Sequence, residues 1–391
     1  MMRYMATTSR TGLRTLAPWT APFAVGAVIA GIAFIPSAAF GKSAGTLTPK
    51  SASELLAAVE ATKVSAMSGT IVETARFGLP QLPDKGASSL SWQALVTGSH
   101  TARVWIDGPQ KQRLALLGTL SEADVVHNGN QLWSYTSSTM AVTHQLLADA
   151  KKEGDGTTAV PLDTEHYVPQ TAAAEALKAI DPTTIVSVES NALVAGRTAY
   201  ELVLTPRDKQ STISKVAIFI DGATSVPLRV QVFGSASRPA FETGFTDISF
   251  SKPAASIFTF TPPAGSSVTE GSPFYSRQGL TESFGAGNGP PTTIRPAHGA
   301  KAALISKIPR IASGLTSHLS PKVIGHGWTT VVEVSGADLG SIGVLDSLGT
   351  HLADGSEVIH TALVNLLRTS NGRLFIGAVS PAYLQQVASK A

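Results

Sequence analysis

From Thr184 to Gly234 the chain alternates residue by residue. The runs "TIVSVES", "AYELVLTP", "SKVAIFIDG" and "PLRVQVFG" succeed one another at short spacing. Tyr200, Leu202 and Leu204 recur every second residue, then Val216, Ile218 and Ile220, then Leu228, Val230 and Val232. Glu201, Lys215, Arg229 and Gln231 fill the alternate positions. A period of two sends the two sets to opposite faces of an extended chain. The stretch therefore predicts an antiparallel meander with one apolar and one wet face.

The same texture occupies the preceding region. "SGTIVETARF", "SLSWQALVTG", "TARVWIDG", "QRLALLG" and "ADVVHNG" are short runs, with Asp107-Gly108-Pro109 and Asn128-Gly129 as turn signals. "HNGNQLWSYTSSTMAVTH", His127 to His144, reads as strand, loop and strand, with a tight turn that Asn and Gly accommodate through positive φ. After Gly234 come "FETGFTDISF" and "FTFTPP". Two helices interrupt the strands. Ser51 to about Met67 opens with the capping-box pair Ser51 and Glu54 and carries Leu55, Leu56 and Val59 as an apolar stripe. Thr171 to Ile180 is Ala-rich and stops at Asp181-Pro182.

The expected fold is thus mainly β with α: about eleven strands and two helices between residues 46 and 265. A single sheet of that width curls, and its apolar face becomes a trough. Residues of shared parity predict the lining: Val104, Ile106, Leu114, Leu116, Trp133, Tyr135, Leu202, Leu204, Val216, Ile218, Val230 and Val232. The helices are expected to cover the trough in part, and to open more easily than the sheet.

Beyond Pro262-Pro263 the stretch 266–322 is rich in Gly, Pro, Ser and Thr and reads as a basic linker. It has no acid between Glu282 and Glu333 but holds Arg295, Lys301, Lys307, Arg310 and Lys322. Residues 323–391 read as a small α/β module in the order β-α-β-α. Its parts are "GWTTVVEVSG", a helix from Ser356 to about Arg368 ended by Asn371-Gly372, "RLFIGAV", and a last helix with Ser380 as N-cap and Pro381 at N1.

The N-terminus sets the compartment. Residues 1–53 contain Arg3, Arg10, Arg14, Lys42 and Lys50 and no acid, which leaves 25 basic against 27 acidic residues in the body. The basic balance of the chain therefore comes from its start, and no folded basic face suggests nucleic acid. Between Arg14 and Lys42 the chain is uncharged, with "FAVGAVIAGIAFI" at its centre. Positive residues before an apolar run keep that end in the cytoplasm and send the rest of the chain across the membrane. Segment 1–45 is either a signal peptide, with Pro22 and Pro36 bracketing a short core, or an uncleaved anchor, which needs about 20 apolar residues.

Several motifs point away from catalysis. Gly41-Lys42-Ser43-Ala44-Gly45 matches a nucleophile elbow in letters, but Thr46-Leu47-Thr48-Pro49 comes after it where the elbow needs a helix. Gly285-Ala286-Gly287-Asn288-Gly289 runs into Pro290-Pro291, so no helix N-terminus is offered to a phosphate. There is no cysteine. His127 and His144 flank one hairpin, while His166, His351 and His360 stand apart, with no metal-ligand spacing. No cofactor is expected, and the chain is expected not to be an enzyme.

"DVVHNGNQLWSYTSSTMAVTH", "GRTAYELVLTP", "VAIFIDGATSVPLRVQVFG" and "FTFTPPAGSSV", in this order after an N-terminal helix, resemble the LolA/RseB superfamily of lipoprotein carriers and envelope-stress sensors. The resemblance covers roughly residues 50–268, and "NGRLFIGAVSPAYL" is similar to the ending of longer actinobacterial members. It implies a half-open antiparallel β-barrel with lid helices, an apolar cavity and no catalysis. It also implies two functions as expectations. One is an exported protein that binds or carries lipid or lipoprotein acyl chains. The other is an envelope-stress sensor that binds a membrane protein such as an anti-sigma factor through the same fold.

Overall fold

The computed structural model describes residues 47–78, 97–118, 121–147, 168–178, 180–271, 320–335 and 349–391. The N-terminal segment, Ser43, Gly285–Gly289 and His166 lie outside them.

Among the described residues twelve strands form the main sheet. In chain order they are β1 (Ala66–Arg76), β2 (Thr97–Asp107), β3 (Lys111–Leu117), β4 (Glu122–Asn128), β5 (Gln131–Thr136), β6 (Ala141–Leu146), β7 (Thr184–Val194), β8 (Arg197–Pro206), β9 (Lys215–Asp221), β10 (Pro227–Phe233), β11 (Phe241–Ser249) and β12 (Ser267–Glu270). Neighbours run β12-β6-β5-β4-β3-β2-β1-β11-β10-β9-β8-β7, so the two end strands, β12 and β7, leave the sheet open. Eleven of the strands lie between residues 46 and 265, the expected number, but "FTFTPP" is not among them: Phe258 ends a 3-10 turn and Thr259–Pro263 is irregular. The twelfth, Ser267–Glu270, falls where the sequence reads as linker and runs parallel to β6 in an otherwise antiparallel sheet. Register shifts at Thr70/Ile71, Pro227/Arg229 and Val188/Asn191 interrupt the ladders. Such bulges bend their strands and help a wide sheet curl.

Two helices lie on one face, here called inner. Helix α1 (Ala52–Ala61) is started by Ser51, whose hydroxyl accepts from the Glu54 N–H while the Glu54 carboxylate accepts from the Ser51 N–H. It stops at Thr62, short of the expected Met67. Met67 is already the first inward residue of β1, because the period has changed from helix to strand by Ala66. Helix α2 is Pro169–Lys178. Leu55 of α1 and Ala173 and Ala176 of α2 share a buried cluster with Leu202, Leu204, Val216, Ile218, Val230 and Val232.

The C-terminal module is a six-stranded sheet. Its strands are β13 (Ser320–Ile324), β14 (Val331–Ser335), β15 (Thr350–His351), β16 (Glu357–Ile359), β17 (Asn365–Arg368) and β18 (Leu374–Gly377), in the order β13-β14-β18-β17-β16-β15. The helix expected over Ser356–Arg368 is absent. Val358 pairs with Leu367 and Ile359 with Leu366, so Ile359, Leu366 and Leu367 of the apparent helical stripe lie on two paired strands. Thr361 holds the turn between them, its hydroxyl donating to the Val364 carbonyl at 2.6 Å. Helix α3 (Pro381–Lys390) closes the module, with the Ser380 hydroxyl accepting from the Tyr383 N–H.

This module docks on the main sheet. Leu363 and Ala378 join the cluster under α1 and α2. The Ala362 N–H donates to the Phe77 carbonyl at 2.8 Å, the Thr212 N–H to the Ala378 carbonyl at 3.0 Å, and the Trp328 indole N–H to the Thr184 hydroxyl at 2.8 Å.

Candidate functional site

Cross-strand partners share a face, so the register assigns every strand residue to one side. Starting from β8, Leu202 faces Ile218, Ile218 faces Val230, Leu204 faces Val216 and Val216 faces Val232. Val232 continues to Phe241, Phe241 to Ala75, and further along β1 Ile71 faces both Phe245 and Ala102. Ala102 faces Leu116, Val104 faces Leu114 and Ile106 faces Gln112. The line then passes through Val125, the partner of Leu114, to Ser134 on β5. Ten of the twelve expected lining residues therefore lie on one face: Val104, Ile106, Leu114, Leu116, Leu202, Leu204, Val216, Ile218, Val230 and Val232. Nine of them are buried and Ile106 is half-buried.

Trp133 and Tyr135 lie on the other face, which corrects the expected lining. The β4–β5 turn pairs Asn128 with Gln131, so His127 faces Leu132, and Trp133 faces Val126 on the outer side. Inward from β5 come Leu132, Ser134 and Thr136. The expectation assigned the aromatics by parity, but β4 is buried on both faces, so parity in this hairpin gives no sign of which side is inner.

The outer face has its own cover. After β11 the chain crosses it as a strap, residues 250–266, before β12 joins β6. The Arg197 guanidinium sits 4.9 Å from the Phe250 ring centroid. Lys252 Nζ is 3.2 Å from Asp107, and the Arg113 guanidinium donates to the Ile257 carbonyl at 3.1 Å. Phe260 lies 5.4 Å from Trp133 and 6.2 Å from Tyr135, ring centre to ring centre. Trp133 also stacks on His144 at 3.9 Å, and His144 Nδ1 is 2.7 Å from the Glu270 carboxylate on β12. The large aromatics thus seal the strap.

The same outer face carries two buried carboxylates, each with an arginine. Arg113 donates to Asp124 at 3.1 and 2.5 Å, and Arg197 to Asp221 at 2.7 and 2.9 Å. Burial pushes the Asp124 carboxyl above its ordinary range despite Arg113. Burial also raises Asp221, but Arg197 and Thr224 outweigh it and hold that carboxyl below the usual range.

The inner face is nearly free of charge. Its polar members by register include Glu73, His100, Gln112, His127, Ser134, Thr136, Thr143, Gln145, Thr184 and Thr243. Gly69 opens room there: a Cβ on it would meet the Phe245 ring at 2.8 Å, so the glycine lets the fully buried Phe245 lie across β1. The cover that the helices supply is light. Leu55 is the one buried residue of α1, and Ala173 and Ala176 are the buried alanines of α2. Among the described residues no group of three His, Asp or Glu side chains could hold a metal ion, and no helix is long and apolar enough to cross a membrane.

No family model matches the sequence, and no curated protein matches it. Solved structures do. The MucA/MucB complex of Pseudomonas aeruginosa is 16% identical over 86% of this chain and 96% of that one, with a TM-score of 0.37. A LolA superfamily protein from Nitrosomonas europaea is 11% identical over 54% of this chain and 99% of that one, with a TM-score of 0.21. A DUF1329 family protein from Desulfovibrio piger is 10% identical over 52% and 94%, with a TM-score of 0.21. At such values these likenesses transfer no function. By its own strand order the chain is an open, almost entirely antiparallel sheet with helices on one face.

Proposed function

We propose that this is an exported, non-catalytic binding protein whose inner face holds the acyl chains of a lipid or lipoprotein. The observation that carries this reading is the shared register of ten aliphatic side chains across β2, β3, β8, β9 and β10. An acyl chain needs no polar key. Each methylene moved from water gains about 0.8 kcal/mol, so about ten of them offset a large part of the cost of association. The lid is light enough to yield. Releasing α1 uncovers Leu55, worth about 2 kcal/mol, and the half-buried Leu56 and Val59, whereas opening the sheet breaks ladders and clusters on both faces.

Native mass spectrometry of the full chain purified from its host tests the reading, with displacement of a fluorescent fatty acid as the second measurement. Co-purified lipid and saturable displacement support it. Protein that carries no lipid and fails to bind the fluorophore contradicts it. Co-purification of a membrane protein instead of lipid would favour the sensor role.

A further inference from the structure

The C-terminal module has a core of its own. Val331, Val358, Leu367, Phe375, Val379 and Leu384 form a cluster separate from the one under α1 and α2. One side chain leaves that core for the main sheet. Leu363 sits at the tip of the β16–β17 hairpin, where chain usually runs over the surface. Yet it is 4% exposed and belongs to the inner-face cluster.

The main sheet is shaped to receive this tip. Val216, Val232 and Phe241 make one cross-strand row near the end of the inner face, and Gly234 follows β10 there. A Cβ on Gly234 would collide with the Ala362 carbonyl and lie 3.6 Å from Leu363 Cδ2, so the glycine makes room for the tip. The Phe77 carbonyl accepts from the Ala362 N–H, and the Leu363 carbonyl accepts from the Thr212 hydroxyl. Phe77 itself stacks parallel to Phe241, with ring centres 6.5 Å apart. The aliphatic row thus ends on a leucine of the same chain.

The rest of the docking is polar and lies in loops. The Thr212 N–H donates to the Ala378 carbonyl and the Ser380 N–H to the Gln210 carbonyl at 2.9 Å. Leu363 and Ala378 are the buried apolar side chains that the module contributes to the inner-face cluster. An interface of loop hydrogen bonds around a small apolar centre, with a separate core behind it, lets a module leave as one body.

We infer that the 360–364 hairpin tip is a built-in competitor for the inner face, and that an acyl chain enters by displacing it and undocking the C-terminal module. This rests on the reading that the inner face binds acyl chains, and it adds how that binding is regulated. Val216 and Val232 are buried while the tip is in place. The acyl chain favours the undocked form and the tip favours the docked one, so each weakens the other by the same factor. Holding the module down weakens lipid binding, and lipid loosens the module.

The chain has no cysteine, so an engineered disulfide has no native competitor. At the rim of the interface the Ser380 hydroxyl donates to the Gln210 side-chain carbonyl at 2.9 Å. Gln210→Cys with Ser380→Cys, made in the full chain, is oxidised to hold the module and reduced to free it. With cis-parinaric acid as the probe, the oxidised form should bind about tenfold more weakly than the reduced form. Equal affinities, with the disulfide confirmed by mass, overturn the competitor and leave the acyl-chain reading standing. Wild type gives a second measurement. On adding palmitate, amide exchange should rise at residues 360–364 and 210–212, where the docking bonds of Ala362 and Thr212 break, while residues 216–220 stay protected. Saturable palmitate binding without that rise overturns the competitor even if the disulfide does not form. Failure of wild type and of the reduced variant to bind either probe overturns the acyl-chain reading itself.

Discussion

Each face of the main sheet carries a cover, but the two covers are built by different means. The inner face is aliphatic, covered by Leu55, Leu56 and Val59 of α1, by Ala173, Ala176 and Leu177 of α2, and by Leu363 and Ala378 of the C-terminal module. The outer face is closed by a strap fastened with arginines, buried carboxylates and stacked rings. Aliphatic contact is non-directional, so one apolar partner can replace another with little penalty. Paired charges and stacked rings are directional, and removing one member strands the other. The difference suggests an exchangeable surface backed by a fixed one.

The largest effect that would break this comparison is a charge on the inner face. Ile218→Asp or Val230→Asp places a carboxylate at a fully buried site and should cost at least about 4 kcal/mol, seen in urea unfolding as loss of the native baseline or with abolished fatty-acid binding. Unchanged melting and binding would mean that these positions face solvent. Next comes the outer face. Arg113→Ala leaves Asp124, 3% exposed, without its partner, and should cost about 3 kcal/mol without changing lipid affinity.

The two outer carboxylates also separate by pH. Asp221 has a folded pKa below its unfolded value of about 3.9, so its contribution is complete above that value and is lost as the pH falls through the folded pKa. Asp124 runs the other way, because burial raises it. Asp221→Asn should therefore flatten the acid-side loss of stability, measured as unfolding free energy from about pH 5 downward. An unaltered slope would show that Arg197 does not hold this carboxylate.

How far these faces are legible in the sequence depends on whether one side of a strand stays wet. In β8 and β10 the alternation of Glu201, Arg229 and Gln231 with Leu202, Val230 and Val232 is enough to fix the inner side. In β4 and β5 it is not, since the strap buries the outer side as well, and Trp133 and Tyr135 look like lining although they seal Phe260. The C-terminal misreading has a similar cause. Ile359, Ala362, Leu363, Leu366 and Leu367 have helical spacing, yet Thr361 and Asn365 support a hairpin, with the Asn365 amide donating to the Val379 carbonyl at 2.8 Å. Their partners lie outside the local window, and periodicity alone cannot find them.

Smaller effects sharpen the contrast. Phe260→Ala should loosen the strap by about 1–2 kcal/mol and change Trp133 fluorescence, while leaving fatty-acid affinity within about twofold. Ser51→Ala removes the α1 cap and should cost about 1 kcal/mol, read as faster amide exchange over residues 52–61.

Photo-crosslinking with a diazirine-bearing palmitate, followed by mass-spectrometric mapping of the labelled residues, tests most directly whether the inner face is the binding surface. Labels are predicted on inner-face strands, at Val104, Leu116 or Val230 and their neighbours, and none on Trp133 or Tyr135. Labels concentrated on those two aromatics, or spread evenly over both faces, would contradict it.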